Sequence, residues 1–452
     1  MSTKQPTSGQ AQTRVVIVGG GFAGLGCARE LAGEESVHVT LIDQHNYHQF
    51  QPLLYQVATS QLPANDIASS LRKCFRTDDN IDVKLAEVTD VDPANHSVTT
   101  AEGDTYAGDV LVLAAGARAN FFNTPGAAEH SFPLYSLADA ERLRTRILTV
   151  FEDADREPAL IARGALNFVI VGAGATGTEL AGSMGDMIKE TMPVEYHDLA
   201  VENAAIYVVD LGQVVLNGFS DSAHDYASKA LQERGVQLKL GTSVKEVAAD
   251  HVVLSDGTKI DTRCVAWAGG LMAGTPAHAS GIPQGRGGRI DVEPDLTVQG
   301  YPGVYVVGDI ANIPGPDGIA YPQLGSVAQQ SGQCVAKSIL AEVGGDERKT
   351  FHYHDKGIMA MIGRGAAVAE VGKHRHELHG SIAFAAWLGV HAALMTGVRQ
   401  RIDAFINWGW DYFSNTRGPS VLDQRSDAAH IDWGDAEDAD VAESLAPRVA
   451  QS

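Results

Sequence analysis

A strand, a glycine turn and a helix occur twice in this chain, and that repetition constrains its fold more than any other feature. From Arg14 the β-branched run VVIV opens onto GGGFAGLGCARELA, and a second strand, VHVTLID, ends at Asp43. Residues 14–43 therefore form one βαβ unit of about 30 residues. From Asn167 the same order returns as FVIVGAGATGTELAGSMGDMI, and AIYVVD closes it at Asp210. After the first unit, DVLVLAAGA (109–117) reads as a buried strand ending in a turn at Ala115 and Gly116. CVAWAGG (264–270), with Gly269 at its turn, is its counterpart. The pattern predicts an α/β protein with two Rossmann-like dinucleotide-binding domains.

Each glycine of Gly19-x-Gly21-x-x-Gly24 has a mechanical reason. Gly19 permits the turn, Gly21 lets a pyrophosphate approach the backbone, and Gly24 lets helix and strand pack, while the helix N-terminus attracts phosphate. Asp43 follows at the end of the second strand, where it is placed to accept hydrogen bonds from a ribose. Gly172, Gly174 and Gly177 repeat the arrangement. Asp210 lies further along than its counterpart, which predicts an insertion around MPVEYHDLAVENA. A carboxylate there welcomes a 2′-hydroxyl and repels a 2′-phosphate, and no Arg follows it in LGQVVLNGFSD, so NADH is favoured over NADPH. The plain alternative is a glycine turn with a structural role only.

The formal charge of −22 would repel a phosphate backbone and argues against nucleic acid as a partner. Four cysteines, at 27, 74, 264 and 334, form no CxxC and no metal-ligand spacing, which disfavours disulfide scaffolds, a metal site and a dithiol centre. The first 13 residues are polar and read as a disordered start without a signal sequence. Gln323 to Leu340 reads as a helix, 343–350 as a linker, and 423–452 as a disordered acidic tail. Between them, 381–398 is an uncharged run of 18 residues followed by Arg399, Arg401, Phe405, Trp408, Trp410, Tyr412 and Phe413. This spacing suits an interfacial segment better than a span, although a buried helix fits the same residues.

Two dinucleotide sites in one chain fit hydride transfer from a nicotinamide to a flavin. GVYVVGD (303–309), a strand ending at Asp309, resembles the second FAD fingerprint of two-dinucleotide-binding flavoproteins of the glutathione-reductase type. By that resemblance the first site takes FAD and the second NADH. Asn46-x-His48-x-Phe50-x-Pro52-Leu53-Leu54-Tyr55-Gln56-Val57-Ala58 resembles the corresponding segment of the type II NADH:quinone oxidoreductases. Gly325–Gly332, with Gln330 and Gly332 matching, and Trp387-Leu388-x-x-His391 extend the likeness over roughly residues 14–415.

This resemblance implies FAD and NADH as cofactors, a membrane quinone as substrate, and no proton pumping. It implies that Gln51 and Pro52 approach the flavin ring. It also places Glu179, read as lying in the first turn of its helix, beside flavin and nicotinamide, where the helix dipole alone would equally favour a carboxylate. Gln330 and Ser326 are implied near the quinone, with Ser326 standing where the family has Gln. The implied domains are FAD-binding (14–125 and 290–345), NADH-binding (126–289) and C-terminal membrane-associating (350–415). The implied setting is monotopic attachment through 381–413 at the cytoplasmic face of the cell membrane, as a homodimer. Two rival readings are a sulfide:quinone oxidoreductase, for which only Cys334 is suggestively placed, and an NADH-sensing flavoprotein with low turnover.

Overall fold

Val15 to Val18 are all buried, as a strand covered on both faces of a parallel sheet must be. They belong to β1 (Thr13–Val18) of a computed structural model that describes residues 12–434 apart from 317, 373, 415, 419 and 423. β1 leads through the first glycine turn into α1 (Phe22–Leu31) and β2 (Val37–Asp43). A loop carrying α2 (Leu54–Ala58) precedes β3 (Ile81–Leu85); an antiparallel meander over 88–107 and β4 (Val110–Leu113) complete the first unit. β5 (Ala117–Ala119), β6 (Phe132–Pro133) and α3 (Leu137–Arg156) carry the chain to the second.

The second unit retraces the first. Its order is β7 (Asn167–Val171), α4 (Ala175–Asp186), β8 (Ala205–Asp210), α5 (Asp221–Glu233), β9 (Val236–Leu240), a meander over 244–261, and β10 (Cys264–Trp267). Then β11 (Leu271–Ala273) pairs antiparallel with β5, and the chain returns to the first sheet as β12 (Thr297–Val298) and β13 (Tyr301–Val306). The sheets have strand orders β12-β13-β4-β1-β2-β3 and β6-β10-β7-β8-β9, parallel except at β12. In both, the strand preceding the glycine turn sits between its two crossover partners. That is the switch point at which open α/β sheets hold ligands.

Helix α6 (Gly325–Gly344) packs on α1 so closely that a Cβ at Gly332 would strike the Ala23 carbonyl oxygen. It starts two residues later than the sequence suggests and runs through Val343 and Gly344 of the expected linker. Left-handed Gly345 ends it. Beyond lie an antiparallel sheet of β14 (Gly357–Gly363), β15 (Ala366–Val371) and β16 (His376–His379), then α7 (Gly380–Leu394) and α8 (Val398–Ser414). The uncharged run 381–398 is thus broken at Gly397 (φ +93°) into two helices, and no described helix is long and apolar enough to cross a membrane.

The apolar core has two main bodies. One surrounds the first sheet; the other joins the second sheet, α2, the C-terminal sheet and both C-terminal helices. Gly182 of α4 marks a tight point of that second body, because the Ile362 carbonyl oxygen of β14 stands where a Cβ would be. Just after α8, buried Arg417 donates to the carbonyls of Thr59 (2.6 Å) and Ser183 (2.9 Å).

Residues 424–434 depart from the expected disordered tail. Asp427 pairs with Arg142 (2.9 Å), the Trp433 indole donates to Asp153 (2.8 Å), and Arg263 lies over the Trp433 ring. Apolar and aromatic groups at Ala428 and Trp433, which charge counting overlooks, dock this segment on the second unit. The remaining tail, 435–452, and residues 1–11 lie outside the described residues.

Candidate active site

The two glycine turns are built alike and left open alike. Gly19 (φ +105°) and Gly172 (φ +107°) adopt backbone that L side chains avoid. A Cβ at Gly24 or Gly177 would strike the carbonyl oxygen of Gly19 or Gly172. Gly21 and Gly174 differ, since a Cβ at either would meet no protein atom within 4 Å. Protein packing does not require glycine there, so the space suits a ligand. Moreover, α1 and α4 have no side-chain cap and no acid in the first turn, whereas α3 and α5 are capped by Ser136 and Ser220. Uncapped N–H groups with open space before them fit a pyrophosphate.

Asp43 accepts from the Gly20 and His45 N–H groups, both at 2.6 Å, and Asp210 accepts from Ala173 (2.7 Å) and Gly212 (2.6 Å). Each aspartate therefore clamps its own glycine turn, in addition to any ribose bond. His48 adds a grip that the sequence alone did not reveal. Its Nδ1–H donates to the Gly20 carbonyl at 3.0 Å, and burial pushes the imidazole down to about 4.

Both turns open into one cavity of about 360 Å³. Gly21, Gln51, Pro52, Gly116 and Asp309 line it from the first unit; Ala175, Thr176 and Glu179 line it from the second. Gln51 Oε1 is buried without a partner, and Asp309, pushed up to about 6 by burial, receives the Tyr135 hydroxyl at 3.3 Å. An orphaned amide oxygen, a buried carboxyl and two bare helix ends are a donor and acceptor set that fits a flavin dinucleotide meeting a nicotinamide.

Glu179 is the fifth residue of α4, one turn in, and not in the first turn as the sequence reading placed it. The helix dipole therefore does not explain it. Burial pushes its carboxyl up to about 8, so it is largely protonated at neutral pH, and its Oε1 accepts the Met361 N–H at 3.2 Å. His391 of α7 also lines the cavity. A second cavity of about 390 Å³ lies between β14, α7 and α8, walled by Gln56, Met361, Phe384, Leu388, Trp408 and Tyr412. One layer of side chains separates the two: Tyr55 and Met359 face the first, Gln56 and Met361 the second.

Some predicted residues do not reach the first cavity. Ser326 bonds the Tyr353 hydroxyl (2.9 Å), and Gln330 exchanges hydrogen bonds with the backbone of His354 (3.1 and 2.9 Å). Four residues apart, they share the α6 face turned to 353–354, while Gly325 and Ala328 line the cavity. At the two further turns, Gly116 lines it but Ala115 does not, and Ala268 and Gly270 do so in place of Gly269. No lining residue of either cavity is a cysteine. Cys27 and Cys264 are buried, with thiols pushed up to about 12.

The family described as pyridine nucleotide-disulphide oxidoreductase matches residues 13–332. The type II NADH:quinone oxidoreductase Ndh of Mycobacterium tuberculosis is 36% identical over 445 residues, covering 94% of each chain. The chain belongs to the type II NADH:quinone oxidoreductases. Among solved structures, NDH2 of Plasmodium falciparum in complex with NADH superposes with a TM-score of 0.83 at 19% identity, covering 91% of this chain and 100% of that one. The sulfide:quinone oxidoreductase of Aquifex aeolicus shares the fold, with a TM-score of 0.70 at 16% identity over 89% and 95%.

Proposed function

We propose that this oxidoreductase takes NADH at the 172–177 turn, holds FAD at the 19–24 turn, and delivers two electrons to a quinone without pumping protons. NADH, one proton and a quinone become NAD⁺ and a quinol. The observation that carries the assignment is that both uncapped helix ends open into the same cavity. Gly21, Gln51 and Asp309 would hold FAD, which would supply a two-electron carrier between nicotinamide and quinone.

The chain's own residues prepare that exchange. Asp43 and His48 fix the turn before α1, and the α1 amides attract phosphate. Gln51 and Asp309, with Thr176, Tyr135 and Gln323, offer polar contacts in the chamber. Glu179, largely protonated at neutral pH, is placed to supply the second proton that a quinone needs to become a quinol. The second cavity, apolar and one side-chain layer away, is a route for an isoprenoid quinone.

Monotopic attachment is the matching reading for α7 and α8. Ile382, Val390 and Leu394 of α7 and Ile402, Phe405, Ile406, Trp410 and Phe413 of α8 are exposed, beside Arg399 and Arg401. Apolar and aromatic residues with adjacent arginines suit a lipid surface.

Anaerobic stopped-flow tests the central reading. NADH is expected to bleach the flavin, and a short-chain quinone to restore its colour rapidly. Bleaching without reoxidation by quinone would reject it.

A further inference from the structure

Trp387 is fully buried on α7, and its indole N–H has no hydrogen-bond partner. The ring cannot easily turn to find one. It stacks on His391 at 3.9 Å between centroids, and Tyr55 and Trp408 meet it at 6.4 and 6.1 Å. Its own carbonyl receives the His391 Nδ1–H at 2.9 Å, which leaves Nε2 of the neutral imidazole as the unprotonated nitrogen. What the indole N–H does face is the Glu179 carboxyl, near enough to favour its ionised form although no hydrogen bond is closed.

Glu179 has few other donors. The Met361 N–H reaches one oxygen at 3.2 Å. Arg234 is committed to Asp186 further along α4, and Arg417 to Thr59 and Ser183. Tyr55 from α2 feels the charge of Glu179, and the titratable groups that line the same cavity are His391 from α7, Asp309 and Tyr135; none is a cation. Protonated, Glu179 is served by that single backbone donor. Once ionised, its carboxylate needs a second.

We propose that the Trp387 indole N–H is a donor held in reserve, closing onto Glu179 only after Glu179 has given its proton to the quinone. This rests on the reading of Glu179 as the proton donor. In the step, the Glu179 O–H bond breaks and a quinol O–H forms, while the two electrons and the other proton derive from the NADH hydride. Solvent then reprotonates the carboxylate. Trp387 is a positioning residue, because it touches the acid and not the substrate.

Three proteins, each loaded with FAD, test this: wild type, Trp387→Phe and Glu179→Gln. Two readouts are followed: the pH profile of quinone reoxidation, and the infrared band of the protonated carboxyl titrated in the resting enzyme. Phe keeps an aromatic ring against His391 and removes the N–H together with part of the stacking area. The expected result is a band and an alkaline limb that both vanish in Glu179→Gln and both move up by roughly one pH unit in Trp387→Phe. If Glu179→Gln removes them but Trp387→Phe leaves them in place, the role of Trp387 is overturned and that of Glu179 stands. If Glu179→Gln leaves the alkaline limb intact, Glu179 is not the acid and both readings fall. Should Phe disturb folding, the benzothienyl analogue of tryptophan, with sulfur in place of N–H, is expected to give the same shift.

Discussion

Asp43 and Asp210 make the same pair of hydrogen bonds, each taking one N–H from the turn after its first glycine and one from two residues beyond itself. Each carboxylate is thus a tie between a strand end and a phosphate-binding turn. Asp43→Ala is expected to cost about 2 kcal/mol of stability and to yield protein with little FAD. Asp210→Ala should keep its colour while KM for NADH rises roughly tenfold. Thermal melts, flavin content and steady-state kinetics read these effects. Normal flavin content in Asp43→Ala would show that the tie is dispensable.

Gly21 and Gly24 separate ligand demands from packing demands. Gly24→Ala collides with the Gly19 carbonyl and should destabilise the fold by about 2 kcal/mol or more. Gly21→Ala has open space, so the flavin-free protein should melt within about 0.5 kcal/mol of wild type while FAD binding is lost. Equal stability loss in the two variants would remove the distinction.

Glu179 and the two buried histidines bias stability in opposite pH directions. The Glu179 carboxyl titrates from 4.5 when free to about 8 in the fold, so its contribution is full below about 4.5 and is lost as pH rises through about 8. His48 and His391 fall from 6.5 to about 4, so theirs is present above about 6.5 and is lost as pH falls towards about 4. Denaturant titrations across pH should show Glu179→Gln with a flatter alkaline side and an unchanged acid side. An unaltered alkaline slope would contradict the buried, protonated carboxyl.

Exposed Phe405, Trp410 and Phe413 on α8 give the lipid reading its test. Replacing all three by Ser should reduce flotation with anionic vesicles about tenfold or more while short-chain quinone turnover persists. Undiminished flotation would move attachment to another surface.

The duplication was legible because each glycine and each terminal aspartate answers a local geometric demand that spacing alone records. Spacing also marked the aromatics of α8, of which Phe405, Trp410, Tyr412 and Phe413 are exposed, whereas Trp408 is buried against Gln56. Glu179 was found by resemblance, yet its position one turn into α4 came only from knowing where the helix begins. Ser326 and Gln330 do not line the first cavity, because motif spacing does not reveal which face of α6 meets it, and 353–354 captures theirs. His48, Trp387 and Trp433 act through partners distant in the chain, so no window of sequence contains both halves of their contacts.

The close approach of Gly182 to Ile362 has a consequence for engineering. A nicotinamide unit grafted from another reductase would arrive with its own helix facing β14, and any side chain at that position would hold the C-terminal sheet away from Glu179. A working chimera would have to exchange residues 126–289 and 357–414 as one cassette, because the fit of α4 on β14 leaves no room for either to change alone.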